Sequence, residues 1–252
     1  MSFYASLRKE ILELVRTHRL LVMAVIVVFF GLASPLMAKL LPEMMRLIPG
    51  GEDFLALIPP PTINDAIAQH VKNLSLFGLL LAYLMTMGAV AQEKERGTAV
   101  LMLVKPLPRA VFLLAKFAAL ALAFLGCMAL AGLAGYYYTM LLFGAPDLSA
   151  WVVLNLMLWL YFLVYVALTL LASTIAKSQA AAAGISVGAI AVLGVLPTLP
   201  GLGKYLPGQL VTWGTTLFAD PSARSWPALG ISLGLIAACL IAACIILDRQ
   251  EI

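Results

Sequence analysis

Apolar residues run along this chain in long unbroken stretches, not in alternation. Crossing roughly 30 Å of hydrocarbon as a helix takes roughly 20 apolar residues. Six stretches meet that length: residues 20–41, 73–91, 117–142, 151–172, 180–199 and 228–247. Continuous runs favour helices over the alternating strands of a barrel. Ahead of the first run, Phe3, Leu7, Ile11 and Leu14 recur at spacings of 4, 4 and 3, while Arg8, Lys9, Glu13 and Arg16 lie off that stripe. This pattern predicts an interfacial helix over residues 1–19, lying on the inner leaflet. The expected fold is all-α integral membrane, one domain over 1–252. Leu36-Met37-Ala38 loosely resembles a signal-peptide cleavage site, but a signal n-region needs no amphipathic stripe. The first span is therefore expected to be retained.

Composition sharpens this. Hydrophobic residues make up 63% of the 252 and charged residues 11%, against about 25% charged in a soluble domain. The mean hydropathy is +1.03. A chain this apolar cannot cover itself with polar surface, which excludes a soluble enzyme, a nucleic-acid binder and a disordered tail. One face of the bundle collects residues 1–19, 92–116, 173–179 and 248–252, with eleven basic and six acidic residues. The opposite face has five basic and six acidic ones. The positive-inside rule makes the first face cytoplasmic, with both termini inside. Tyr136, Tyr137, Tyr138 and Trp151 bracket the outer boundary. Cys127, Cys239 and Cys244 all fall within spans, lack zinc spacing with a His, and read as packing residues.

Energy-coupled carriers normally hold ionisable groups at membrane depth. Here the span interiors lack Asp, Glu, Lys, Arg and His; Lys39 and Lys116 stand at span ends, where they are expected to snorkel, and His70 is expected outside. No acids or histidines are expected to cluster at a membrane face, which argues against an integral-membrane enzyme. No Walker A sequence is present, so ATP would be handled by another polypeptide. Residues 184–188 and 230–234 match G-x-S-x-G, yet both lie inside apolar helices without a strand or a His. Gly184, Gly188, Gly230 and Gly234 read instead as small-residue faces for helix packing. No catalytic residue and no cofactor or metal site is expected.

The distinctive loop is 92–116. Gln92-Glu93-Lys94-Glu95-Arg96 marks the exit from the second span, and Gly97 permits a turn. Thr98 can cap a short helix, and Ala99 to Val104, with Leu101 and Leu103, is too short to cross and too apolar to lie free. Pro106 and Pro108 end it. Arg109 and Lys116, seven apart, share one face of the next helix.

The string Glu93, Glu95, Arg96, Gly97, Thr98, six mostly aliphatic residues, Pro106, Leu107, Arg109 and then Lys116 resembles the ABC-2 type permeases. It is closest to the branch containing the permease of the nitrous-oxide reductase maturation transporter. Pro108 stands where that pattern has a small polar residue, and Lys105 where it has an aromatic or polar one. The resemblance implies a type V exporter-like fold: an elbow helix and six spans in a bacterial or archaeal inner membrane. It implies a paired permease, with a homodimer expected, and two copies of a separate ABC ATPase carrying ATP and Mg. The loop 92–116 would be the coupling helix docked on that ATPase. Glu93, Glu95, Arg96, Gly97, Thr98, Leu101, Leu103 and Pro106 would provide docking and shape, and Arg109 would anchor the next helix.

Between the last two spans, residues 200–227 are too rich in Gly and Pro for one straight helix and too apolar for a free loop. A pair of short helices dipping back from the outer surface is expected, with Pro200, Pro207 and Trp213 at an outer gate. The outer segment 42–72 contains Pro59-Pro60-Pro61, followed by Thr62 as an N-cap. Two functions remain open: an ATP-driven exporter, or a complex that passes mechanical work to an outer accessory protein and moves no cargo. They differ in whether a solute crosses or a periplasmic protein co-purifies.

Overall fold

The computed structural model describes residues 3–47, 59–97 and 108–250. The helices are α1 (Phe3–Arg16), α2 (Arg19–Arg46), α3 (Ile63–Thr86), α4 (Ala91–Glu95), α5 (Arg109–Phe143), α6 (Leu148–Ile175), α7 (Gln179–Val195), α8 (Gly208–Thr216) and α9 (Trp226–Arg249). Six helical segments are long and apolar enough to cross a membrane, the second being α3 with its continuation through Glu95.

The second and third spans start earlier than their apolar runs. Thr62 caps the helix entering the second span, as its place in the sequence suggests: its backbone is extended and the Asp65 carboxylate accepts from both its N–H and its hydroxyl at 2.7 Å. That capping box starts α3 ten residues before the apolar run. Pro108 precedes α5, which begins at Arg109 and not at Phe117.

The six spans pack as a bundle around α6, which touches α3, α5, α7, α8 and α9. Its core holds Phe124, Met128, Leu154, Leu158 and Phe162. Two indole N–H groups tie α6 to α5: Trp151 donates to Gly132 O at 2.9 Å and Trp159 to Ala121 O at 3.0 Å. Between helices in lipid, close approach of backbones matters more than apolar burial. A Cβ on Gly31 would lie 2.6 Å from Ala131 O, so α2 and α5 cross backbone to backbone there. By contrast, a Cβ at Gly184, Gly188, Gly230 or Gly234 would meet nothing within 4 Å. The expected helix-packing glycines therefore pack against no helix of this protomer. The helices that carry them, α7 and α9, run along the outside of the bundle, so those faces are open.

His70, on the outer side of the apolar run in the sequence, lies within α3 beside Trp151 of the expected outer boundary and is not exposed. It is fully buried in α3, 3.4 Å from Asn155 Oδ1 and with its ring 4.7 Å from that of Trp151. The segment 200–227 holds two short helices, a 3-10 turn (Gly203–Tyr205) and the α-helix α8. Gly201 at φ +82° and the prolines at 200 and 207 break the chain before it.

Candidate functional site: the stems of the loop between the second and third spans

Residues 98–107, with Thr98, Leu101, Leu103 and Pro106, lie outside the described residues. The two stems that present them are described, and nearly every charged residue in them has a partner inside the chain.

α3 ends at Thr86 and the helical path resumes at Val90. The break is bridged from α6. Ser173 Oγ accepts from Val90 N and Ala91 N at 3.1 and 3.0 Å and donates to Met87 O at 2.9 Å. Backbone groups freed by an interrupted helix need such partners where water is scarce.

Beyond the break, α4 puts successive side chains on different neighbours. Glu93 faces α1 and α5. Its carboxylate lies 2.8 Å from Lys116 Nζ, which also lies 3.0 Å from Glu10 of α1. Lys116 is 4% exposed, so it does not snorkel as its position at a span end suggested. Lys9 joins the same group, 3.0 Å from Glu10 and 3.6 Å from Glu93. Burial works to lower its pKa, but the carboxylates of Glu10, Glu93 and Glu13 outweigh that and hold it above the usual lysine value. Glu10, Glu13 and Glu93 bring oxygens within 4.8 Å of one another. The expectation of no acidic cluster at a membrane face thus fails. The cluster is nonetheless matched by two ammonium groups and reads as an ion-paired joint between α1, α4 and α5.

Lys94 points the other way and donates to Thr174 O and Gln250 Oε1. Glu95 accepts from Gln179 N at 3.0 Å, capping the first turn of α7 together with Ser178, whose hydroxyl accepts from Ala181 N. Arg96 is exposed, and Gly97 ends the stem at φ +68°. This left-handed turn is the one its glycine suggested. On the far side of the loop, Arg109 donates to Leu247 O, to Asp248 O at 3.1 Å and to Gln250 O at 2.8 Å.

Of the residues singled out in the sequence, Glu93, Glu95 and Arg109 are thus held by neighbouring helices, while Arg96 and Gly97 stand at the surface. Sequence reading missed Lys116 as a buried hub, Ser173 as a bridge, and Gln250 altogether. Glu10 and Lys116 are 106 residues apart, and no local pattern pairs them.

At the outer end, Pro207 and Trp213 are buried and Pro200 is exposed. α8 lies on α6, with Leu210, Trp213 and Leu217 in the contact. Trp213 donates to Ala223 O at 2.8 Å, and its ring meets that of Trp226 edge-on at 5.8 Å.

A family model described as "ABC-2 family transporter protein" matches residues 4–252. The chain belongs to the ABC-2 transporter family. This ABC-2 protein is also 29% identical over 215 residues to the uncharacterized transmembrane protein YxlG of Bacillus subtilis (strain 168), covering 82% of this chain and 81% of the relative. It is an all-α multi-pass membrane protein, and its family is that of membrane permease subunits of ABC transporters.

Proposed function

We propose that this chain is the permease subunit of an exporter driven by a separate ABC ATPase, and that residues 98–107 are the segment the ATPase grips. ATP and Mg are held on the ATPase. Two ATPase copies serve a permease homodimer in a bacterial or archaeal inner membrane. The observation that carries this reading is the construction of the loop stems. Elements from all over the chain (α1, α4, α5, α6, α7 and α9) converge on residues 93–97 and 109–116, so a push on the loop reaches every one of them. Arg96 and Gly97 are exposed at the point where the chain leaves this support, and they provide the docking edge. The energy comes from tighter binding of ATP to a closed ATPase pair, which biases the permease between two states.

A second reading, work delivered to an outer partner with no cargo, is favoured by α9. This helix meets Arg109 at its inner end and Trp213 at its outer end, so one rigid element joins the loop to the outer surface.

The test is co-purification of the tagged chain with its ATPase subunit, with residues 98–107 intact or replaced by a Gly-Ser linker of equal length. ATPase is expected to bind only the intact loop. Equal binding by both would remove the docking role. Inverted vesicles carrying the intact complex then separate the two readings: ATP-dependent accumulation of a lipophilic cation supports export. Its absence, together with an outer protein that co-purifies, supports mechanical work.

A further inference from the structure

Both stems of the loop are fastened to one short piece of chain. Before the loop, Lys94 Nζ donates to the side-chain oxygen of Gln250. After the loop, Arg109 donates to the main-chain oxygen of Gln250 and to Leu247 O and Asp248 O. Gln250 Nε2 donates in turn to Thr174 O at 3.2 Å, the same carbonyl that Lys94 holds. The main-chain N–H of Gln250 goes to Leu247 O at 3.4 Å, so all four polar groups of Gln250 are engaged, two of them by opposite stems. The chemistry favours the arrangement. α6 and α9 both end at this point, and their last carbonyls lack intrahelical partners and carry the negative end of the helix dipole. Lys94 and Arg109 place cations against those ends, where such groups hold most firmly.

We infer that the segment Leu247–Gln250 is the common anchor of the loop, and that Gln250 is a positioning residue that fixes the spacing of its two stems. The inference rests on the reading of 98–107 as the coupling segment. The consequence is mechanical. The stems do not move independently: displacement of the loop pulls on the end of α9, and release of that end frees both stems at once.

Hydrogen exchange of the full chain in lipid nanodiscs tests this without any partner. The informative amides are Lys94, Arg96 and Gly97 before the loop and Val111 and Phe112 after it, each bonded within its own stem. Gln250→Ala is expected to speed exchange at 94–97 by about tenfold, as local opening becomes easier. Gln250→Glu keeps an acceptor for Lys94 and is expected to restore the protection. The diagnostic variant is Arg109→Ala. It touches nothing before the loop, yet it is expected to speed exchange at 94–97 because the shared anchor is released. Unchanged exchange at 94–97 in both alanine variants overturns the anchor. Binding of the ATPase subunit to the unaltered chain is measured in parallel. If exchange responds as stated and no ATPase binds, the anchor stands and the permease reading fails. If ATPase binds and exchange at 94–97 is unmoved, the permease reading stands and the anchor fails.

Discussion

The ammonium nitrogen of Lys116 sits 2.8 Å from a carboxylate oxygen of Glu93, twenty-three residues upstream, with Glu10 of the first helix 3.0 Å away on its other side. One buried cation thereby joins three helices at the root of the loop. Removing one partner of a buried pair leaves charge uncompensated, which typically costs about 3–5 kcal/mol, whereas replacing the whole group with apolar or neutral residues can be close to neutral. Lys116→Met is therefore expected to destabilise the bundle by about that amount, and Lys116→Met with Glu10→Gln and Glu93→Gln by much less. Thermal unfolding in detergent, followed by tryptophan fluorescence, measures both. Equal losses for the single and triple variants would show that Lys116 matters only as packing.

Gly97 carries φ +68° in open space. Among the described residues a Cβ there meets nothing within 4 Å, so the effect of Gly97→Ala falls on the backbone, about 1 kcal/mol for an L-residue held in the left-handed region. The bundle is expected to unfold at the same temperature, while co-purification of the ATPase weakens because the loop leaves its stem at another angle. A lowered unfolding temperature with unchanged ATPase binding would refute this.

The glycines divide by what faces them. Gly31→Val would place a Cβ 2.6 Å from Ala131 O, a backbone atom that cannot swing aside. Expression of folded protein is expected to fall sharply, as it does when a packed interior is overfilled. At Gly188 an added Cβ meets nothing within 4 Å among the described residues, so with Gly188→Val the protomer is expected to fold normally. If α7 is the contact with a second copy, that variant shifts the dimer to monomer in chemical cross-linking. Loss of folded protomer in Gly188→Val would contradict the structure.

Trp213 and Trp226 close the outer segment edge-on at 5.8 Å. Trp213→Ala removes a ring that is 7% exposed and the hydrogen bond to Ala223 O, and buried Trp truncations cost about 3–5 kcal/mol. Since α8 rests mainly on α6, with smaller contacts to α3, α9 and the 3-10 turn, the expected result is local opening: faster hydrogen exchange over 208–225 with the inner stems unaffected. Protection that persists over α8 would show that other contacts hold the cover.

Much of the architecture was legible in the sequence because continuous apolar runs of the right length admit few alternatives. The six crossings, the Thr62 cap and the Gly97 turn all follow from local pattern. The surroundings of the first turns of α3 do not, because Asn64, Asp65, Gln69, His70 and Lys72 look solvent-facing until His70 and Asn73 are seen buried against other helices. The motif residues were found, but not where they point. Glu93, Glu95 and Arg109 were expected at a docking surface or anchoring the next helix, and each lies against a neighbouring helix. Whether a charge faces outward or pairs inward depends on residues up to 156 positions away, and one sequence carries no record of that. The small-residue spacing at 184, 188, 230 and 234 is a related case: it marks where a close approach is allowed, and within this protomer none is made there.

Ser173 has a consequence of its own. An interruption in a helix is ordinarily a joint, free to flex because its amides and carbonyls have lost their partners. Here a single hydroxyl on the central helix takes up two of those amides and one carbonyl, and the joint is welded. Bending at residues 87–90 would have to break these bonds, so the loop stem and the middle of the bundle are coupled there. A chain with alanine at 173 would keep its six crossings but carry a slack link between the second of them and the loop stem.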